Sequence, residues 1–142
     1  MIKTLTDGLP LPQRYGAIAT IIIGISMAVL DGAIANVALP TIASDLNASP
    51  ASSIWIVNAY QIAIVISLLS FSFLGDMFGY RRVYQCGLAV FTLTSLFCAL
   101  SDTLHTLTLA RIAQGFGGAA LMSVNTALIR LIYPQRHLGR GM

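Results

Sequence analysis

The chain of 142 residues is 56% hydrophobic and only 9% charged, with a formal net charge of +3, whereas soluble domains carry about a quarter charged residues. All five acids are aspartates, Asp7, Asp31, Asp45, Asp76 and Asp102, so the charged coat of a water-soluble helical protein cannot be assembled and water is excluded as the main solvent. The basic balance does not point to nucleic acid, because the arginines stand singly or in one pair beside apolar runs, where membrane topology accounts for them.

Apolar runs at residues 15–39, 52–74, 83–100 and 104–132 predict four transmembrane helices, each long enough to cross a hydrocarbon layer about 30 Å thick. The expected fold is therefore an all-α integral membrane bundle over residues 1–142. The first run follows Lys3 and Arg14 but is too long for a secretory leader and lacks a small-residue cleavage pattern. Orientation follows from the basic residues: Lys3 and Arg14 precede the first span, Arg81 and Arg82 separate the second and third, and Arg136 and Arg140 follow the fourth. The other two connections hold no Lys or Arg, which places both ends in the cytoplasm.

In the first outer connection, residues 40–51, Pro40 is expected to end or kink the first helix, and Ser49 before Pro50 suits an N-cap with proline at the first helical position. Asn47 to Ser49 matches a glycosylation acceptor pattern, discounted because Pro50 follows in a tight loop. Trp55 lies at the depth of an interfacial aromatic. The inner turn, residues 75–82, combines Gly75 and Gly79, which permit a sharp reversal, with Asp76 at a helix C-terminus, where the helix dipole disfavours an anion. Arg81, Arg82 or the N-terminus of another helix are the expected partners of Asp76. Cys86 and Cys98, about 18 Å apart along one helix, read as packing residues. His105 and His137 have no companion ligands at metal spacing, so no metal site or cofactor is expected.

Asp31 is the most informative residue, because a carboxylate inside a membrane span must be paired, protonated or facing a wet cavity. Its expected partner is Arg111 in the fourth span. Counted from the centre of each apolar run, Asp31 lies about 6 Å and Arg111 about 10 Å outward of the midplane, a gap an arginine side chain bridges; Gln114 is level with Asp31. The pair is expected to bind and release a proton between conformations. Gly24, Ala28 and Gly32 on the first span, with Gly115 and Gly118 on the fourth, read as close-packing surfaces. Asn36, Asn58, Tyr60 and Gln61 add polar groups that serve either as interhelical ties or, with Gln114, as a substrate pathway.

These residues resemble the major facilitator superfamily, in particular its fourteen-helix drug:proton antiporter branch. Residues 30–40 resemble the first-helix signature of that branch, 55–63 its second-helix opening, 72–82 the loop motif between helices two and three, and 111–117 the fourth-helix motif associated with proton coupling. Ser72 stands where the loop motif has Gly, Met77 and Tyr80 where it has basic residues, and Ala33 where the first-helix signature has Thr. The resemblance implies that Gly75, Asp76, Gly79, Arg81 and Arg82 form a cytoplasmic gating latch, and that the chain is the N-terminal third of a transporter with two six-helix halves. The implied activity is proton-driven export of small amphipathic compounds from a bacterial inner membrane, not enzymatic catalysis. The expected partners are lipid, protons, amphipathic substrates and the remainder of the transporter. The chain alone is not expected to transport, and its exposed apolar faces predict self-association in detergent. A truncated or split membrane product with an assembly role, and a small four-helix multidrug transporter acting as a dimer, are the alternatives.

Overall fold

A computed structural model describes residues 11–46 and 48–132. Lys3, Asp7, Asn47, Arg136, His137 and Arg140 lie outside the described residues. The chain folds as four helices in sequence: α1 (Leu11–Asp45), α2 (Pro50–Phe78), α3 (Tyr80–Ala99) and α4 (Leu104–Ile132). All four are long and apolar enough to cross a membrane, and the described residues contain no strand. The protein is an all-α membrane protein.

Local chemistry explains the helix ends. At the start of α2, Ser49 caps the first turn: its Oγ accepts from the Ser52 backbone N–H at 3.1 Å, with Pro50 opening the helix, as expected. At the start of α4, Thr103 and Thr106 cap reciprocally. Thr103 Oγ1 accepts from the Thr106 N–H at 3.2 Å, and Thr106 Oγ1 accepts from the Thr103 N–H at 3.3 Å, a capping box in which threonine replaces the usual Glu or Gln.

Two boundaries differ from expectation. Pro40 does not end α1, which continues to Asp45. A proline removes one helical hydrogen bond and crowds the preceding turn, but membrane helices accommodate it where neighbouring groups satisfy the freed carbonyl. The turn between α2 and α3 is also tighter than a loop of several residues, because α2 runs through Gly75 and Asp76 to Phe78 and α3 begins at Tyr80. Gly79 alone reverses the chain, at φ +93°, a backbone conformation that a side chain disfavours. Gly75 is not part of the reversal; it lies within α2, where an added Cβ would meet Tyr80 and Val124 at 2.9 Å.

The bundle is organised around α4. Half of its spanning segment is buried, against 22% for α2 and α3 and 11% for α1. Small residues allow this. A Cβ on Gly115 would stand 2.8 Å from the Tyr60 carbonyl oxygen of α2, one on Gly117 2.7 Å from the Phe91 backbone nitrogen of α3, and one on Gly87 2.7 Å from Ala120. The helices therefore meet at backbone contact, the geometry that dispersion forces favour where no hydrophobic effect drives association. Gly118 fits the same surface more loosely, 3.3 Å from the Tyr60 hydroxyl.

On α1 the inward stripe differs from the expected one. Gly24 and Ala28 pack inward, but a Cβ on Gly32 would meet nothing within 4 Å. The line facing the bundle instead runs through the buried Ile21, Gly24 and Ala35 and the half-buried Ala28 and Asp31. A strict four-residue repeat drifts off a face that advances every 3.6 residues, so position 31 replaces position 32. Gly24 makes room for Tyr84 of α3, whose hydroxyl donates to the Thr20 carbonyl at 3.0 Å.

Gly117→Ala is expected to destabilise the purified protein by about 1–3 kcal/mol through overpacking against the α3 backbone. Gly32→Ala should leave stability unchanged or raise it by up to about 1 kcal/mol through helix propensity. Thermal unfolding of the two variants in detergent measures the contrast.

Candidate functional site

The bundle-facing stripe of α1 carries the half-buried Asp31 toward α4, which presents Arg111 and Gln114 about one turn apart on the face opposite it. The Arg111 Nη1 donates to Asp31 Oδ2 at 2.7 Å, and Gln114 Nε2 donates to Asp31 Oδ1 at 2.9 Å. The triangle closes through Gln114 Oε1, which accepts from Arg111 Nη1 at 2.9 Å. Both carboxylate oxygens are thus occupied by donors from one helix, and the ion pair lies where water is scarce and charge-assisted hydrogen bonds are strong.

Burial is graded across the cluster. Gln114 is fully buried and Arg111 is 8% exposed, while the Asp31 side chain retains 16% exposure. The open side of the site is therefore the aspartate side. The remaining two helices complete the surround. Tyr60 of α2 lies half-buried with its ring centroid 5.8 Å from the Arg111 guanidinium carbon, within cation–π range. Cys98 of α3 donates its thiol to Gln114 Oε1 at 3.6 Å. The Nε–H of Arg111 is buried and makes no hydrogen bond among the described residues, so the cluster carries a buried donor that none of its own acceptors uses.

The structure thus brings Asp31, Arg111, Gln114 and Tyr60 together and leaves the other polar candidates apart. Asn36, Asn58 and Gln61 lie exposed on α1 and α2, and none is hydrogen-bonded through its side chain among the described residues. Cys98 had read as a packing residue. Gln114 reaches it by leaning back toward the N-terminal end of α4, as long helical side chains do, and no sequence spacing signals that contact. Tyr84 was likewise missed, because its partner is a backbone carbonyl, which has no sequence signature.

At the turn between α2 and α3 the partner of Asp76 among the described residues is neither an arginine nor a helix N-terminus. The Tyr80 hydroxyl donates to Asp76 Oδ1 across the Gly79 turn, and Arg81 and Arg82 are exposed, without an ion pair to Asp76 among the described residues. A tyrosine four positions on reaches the carboxylate because a single residue separates the two helices. Among the described residues no group of His, Cys, Asp or Glu is arranged to hold a metal ion.

Comparison with known proteins places this arrangement in a family. The sequence profile of the Major Facilitator Superfamily matches residues 21–142. The chain is 85% identical, over its whole length, to an uncharacterized transporter of Escherichia coli, YebQ, and covers 31% of that protein. It is 35% identical over 92% of its length to the riboflavin transporter RibZ of Clostridioides difficile, covering 28% of it. It is 39% identical over 80% of its length to the putative multidrug resistance protein MdtD of Salmonella paratyphi B, covering 24% of it. The chain spans less than a third of the length of these relatives. With a profile match across most of its residues and four membrane-spanning helices, the chain belongs to the Major Facilitator Superfamily.

Proposed function

We propose that this chain is the N-terminal four-helix part of a proton-coupled antiporter that exports small amphipathic compounds across a bacterial inner membrane. Asp31 is the proton-binding group and Arg111 its counter-ion. The observation that carries this reading is the closed triangle of Asp31, Arg111 and Gln114, with contacts of 2.7 and 2.9 Å joining α1 to α4. The relatives named as a putative multidrug resistance protein and a riboflavin transporter support an amphipathic substrate class.

The mechanism follows from charge. Ionised Asp31 accepts from Arg111 and Gln114 and holds α1 against α4. A proton arriving on Oδ2 takes the place of the Nη1–H donor and removes the negative charge, so the electrostatic part of the tie is lost. Arg111 then retains its charge in a poorly solvated site, with a buried Nε–H already lacking an acceptor. A cationic or hydrogen-bond-donating group on an entering substrate is drawn to the ionised carboxylate, so its arrival requires the proton to leave, which makes proton and substrate alternate at one place. Tyr60 and Gln114 flank that place, and Asn36, Asn58 and Gln61 line the approach from the exposed faces of α1 and α2. The motion is a rocking of this bundle against the rest of the transporter, and Gly75, Asp76, Gly79, Arg81 and Arg82 form the inner gate.

Asp31→Asn in a full-length transporter carrying this sequence is expected to lower proton-gradient-driven efflux at least about tenfold, since a hydrogen bond to a charged group contributes about 1.5–3 kcal/mol. Transport in inverted vesicles, measured from pH 5.5 to 8.5, is the readout; an unchanged rate and pH profile would refute the assignment.

A structural role is separated by a second comparison. Asp31→Ala alone leaves Arg111 unpaired and should cost about 3 kcal/mol of stability. Asp31→Leu combined with Arg111→Met should recover most of that loss in detergent unfolding yet remain inactive in transport.

Orientation is read with cysteine labelling. In intact cells a membrane-impermeant maleimide should modify Asp102→Cys from outside and leave Arg81→Cys unmodified until the membrane is opened. The reverse pattern overturns the assignment of the Gly79 turn to the cytoplasm.

A further inference from the structure

Across the turn between α2 and α3 the backbone hydrogen bonds run up to Gly79 from both sides. The Gly79 N–H donates to the Gly75 carbonyl at 3.0 Å, and the Gly79 carbonyl accepts from the N–H groups of Arg82 at 3.1 Å and Val83 at 3.3 Å. Gly79, at φ +93°, is the single residue between the two helices, and so the point about which they would swing.

The side chain of Tyr80 bridges that point. Its half-buried ring lies against Gly75, where an added Cβ would stand 2.9 Å from the ring Cδ1 and equally close to Cγ1 of Val124 on α4. Glycine at position 75 is what admits the ring, and α2 and α4 together give it a fixed seat. From that seat the hydroxyl donates to Asp76 Oδ1, which closes a side-chain link over the reversal from position 80 back to position 76.

The chemistry of the donor decides what the link leaves behind. A basic residue, which the resembling motif has at this position, would pair with Asp76 and cancel its charge, whereas a phenol holds a carboxylate and stays neutral. Asp76 is exposed, its Oδ2 accepts no hydrogen bond among the described residues, and the exposed Arg81 and Arg82 form no ion pair with it there. The turn therefore presents a carboxylate with one oxygen held, the other open and its charge kept.

We infer that Tyr80 is a positioning residue of the proposed gate: its hydroxyl locks the Gly79 hinge and aims Asp76, so that α2 and α3 move as one lever with the open carboxylate oxygen held in one orientation. This rests on the gating role proposed above for Gly79 and Asp76, and it adds a residue outside that set. The hydroxyl carries the role, and the ring supplies the seat.

The test uses a full-length transporter carrying this sequence, reconstituted in vesicles, with proton-gradient-driven movement of two amphipathic cations, ethidium and rhodamine 6G, as the readout. Tyr80→Phe keeps the ring on Gly75 and removes the donor. It is expected to lower the maximal rate about threefold, as for one exposed hydrogen bond to a charged group, with KM and the thermal transition in detergent unchanged. Asp76→Asn should lower the maximal rate as well, and adding Tyr80→Phe to it should lower it no further, because both changes break one link. A wild-type rate in Tyr80→Phe beside a lowered rate in Asp76→Asn overturns the inference and leaves the gate standing, and an independent further loss in the double variant also overturns it. A wild-type rate in Asp76→Asn, or movement of neither dye by the wild type, overturns the gate and the role of Tyr80 with it. The link is read without transport from 3-fluorotyrosine placed at position 80. Its fluorine resonance should move on Asp76→Asn, and an unmoved resonance overturns the inference even where Tyr80→Phe lowers stability.

Discussion

Everything the bundle does with α1 depends on the contact of Asp31 with Arg111 and Gln114. In lipid, an apolar helix face is solvated by acyl chains about as well as by another helix, so burial alone provides little reason for α1 to stay. Only 11% of its spanning segment is buried, and Ile22, Val29, Ile34 and Val37 face outward. Polar ties hold it at two heights. The Asp31 cluster is one, and the Tyr84 hydroxyl on the Thr20 carbonyl is the other, about 16 Å away along the helix. The second tie is neutral and indifferent to protonation. The first is not, so on the proposed reading a single proton on Asp31 alters the attachment of α1 at one end and leaves it anchored at the other.

The counterpart of a lightly held α1 is a rigid α4. Gly115, Gly117, Gly118, Ala119 and Ala120 give it a surface almost without side chains, and α2 and α3 press on it at backbone distance. Close-packed contacts have few alternative arrangements. Arg111 stands about one turn before this seam and Gln114 immediately before it, and both inherit its rigidity, with Tyr60 and Cys98 restricting them from α2 and α3. A change of charge at Asp31 therefore acts on the element able to move.

Much of this was legible in the sequence because the bilayer constrains it so strongly. A helix must supply about 20 apolar residues and satisfy its own backbone, so four spans and their order could be read from hydropathy. The meeting of Asp31 with Arg111 and Gln114 was readable from depth, since an ionised side chain has few places to go in hydrocarbon. What escaped was everything set by fractions of a turn or by short side chains in unusual company. Gly32 looked like the continuation of Gly24 and Ala28, yet Asp31 and Ala35 occupy that face. Pro40, expected to end or kink the first helix, does not end it and is an interior residue of α1. Tyr80, where the resembling motif has a basic residue, turned out to be the partner of Asp76 because Gly79 brings the two helices within one residue of each other.

The polar residues left outside the cluster give the site a direction. Asn36, Asn58 and Gln61 expose amides on otherwise apolar helices, and an amide facing acyl chains is costly. A wet cavity or a polar surface of the longer transporter removes that cost, so on the proposed reading the faces bearing these three residues are those turned toward the rest of the protein. The Asp31 side chain keeps 16% of its surface open, while Gln114 behind it keeps none. On the proposed reading, a proton and a substrate therefore approach from the α1 side, reach the carboxylate before the guanidinium, and meet Gln114 only as the closed end of the path.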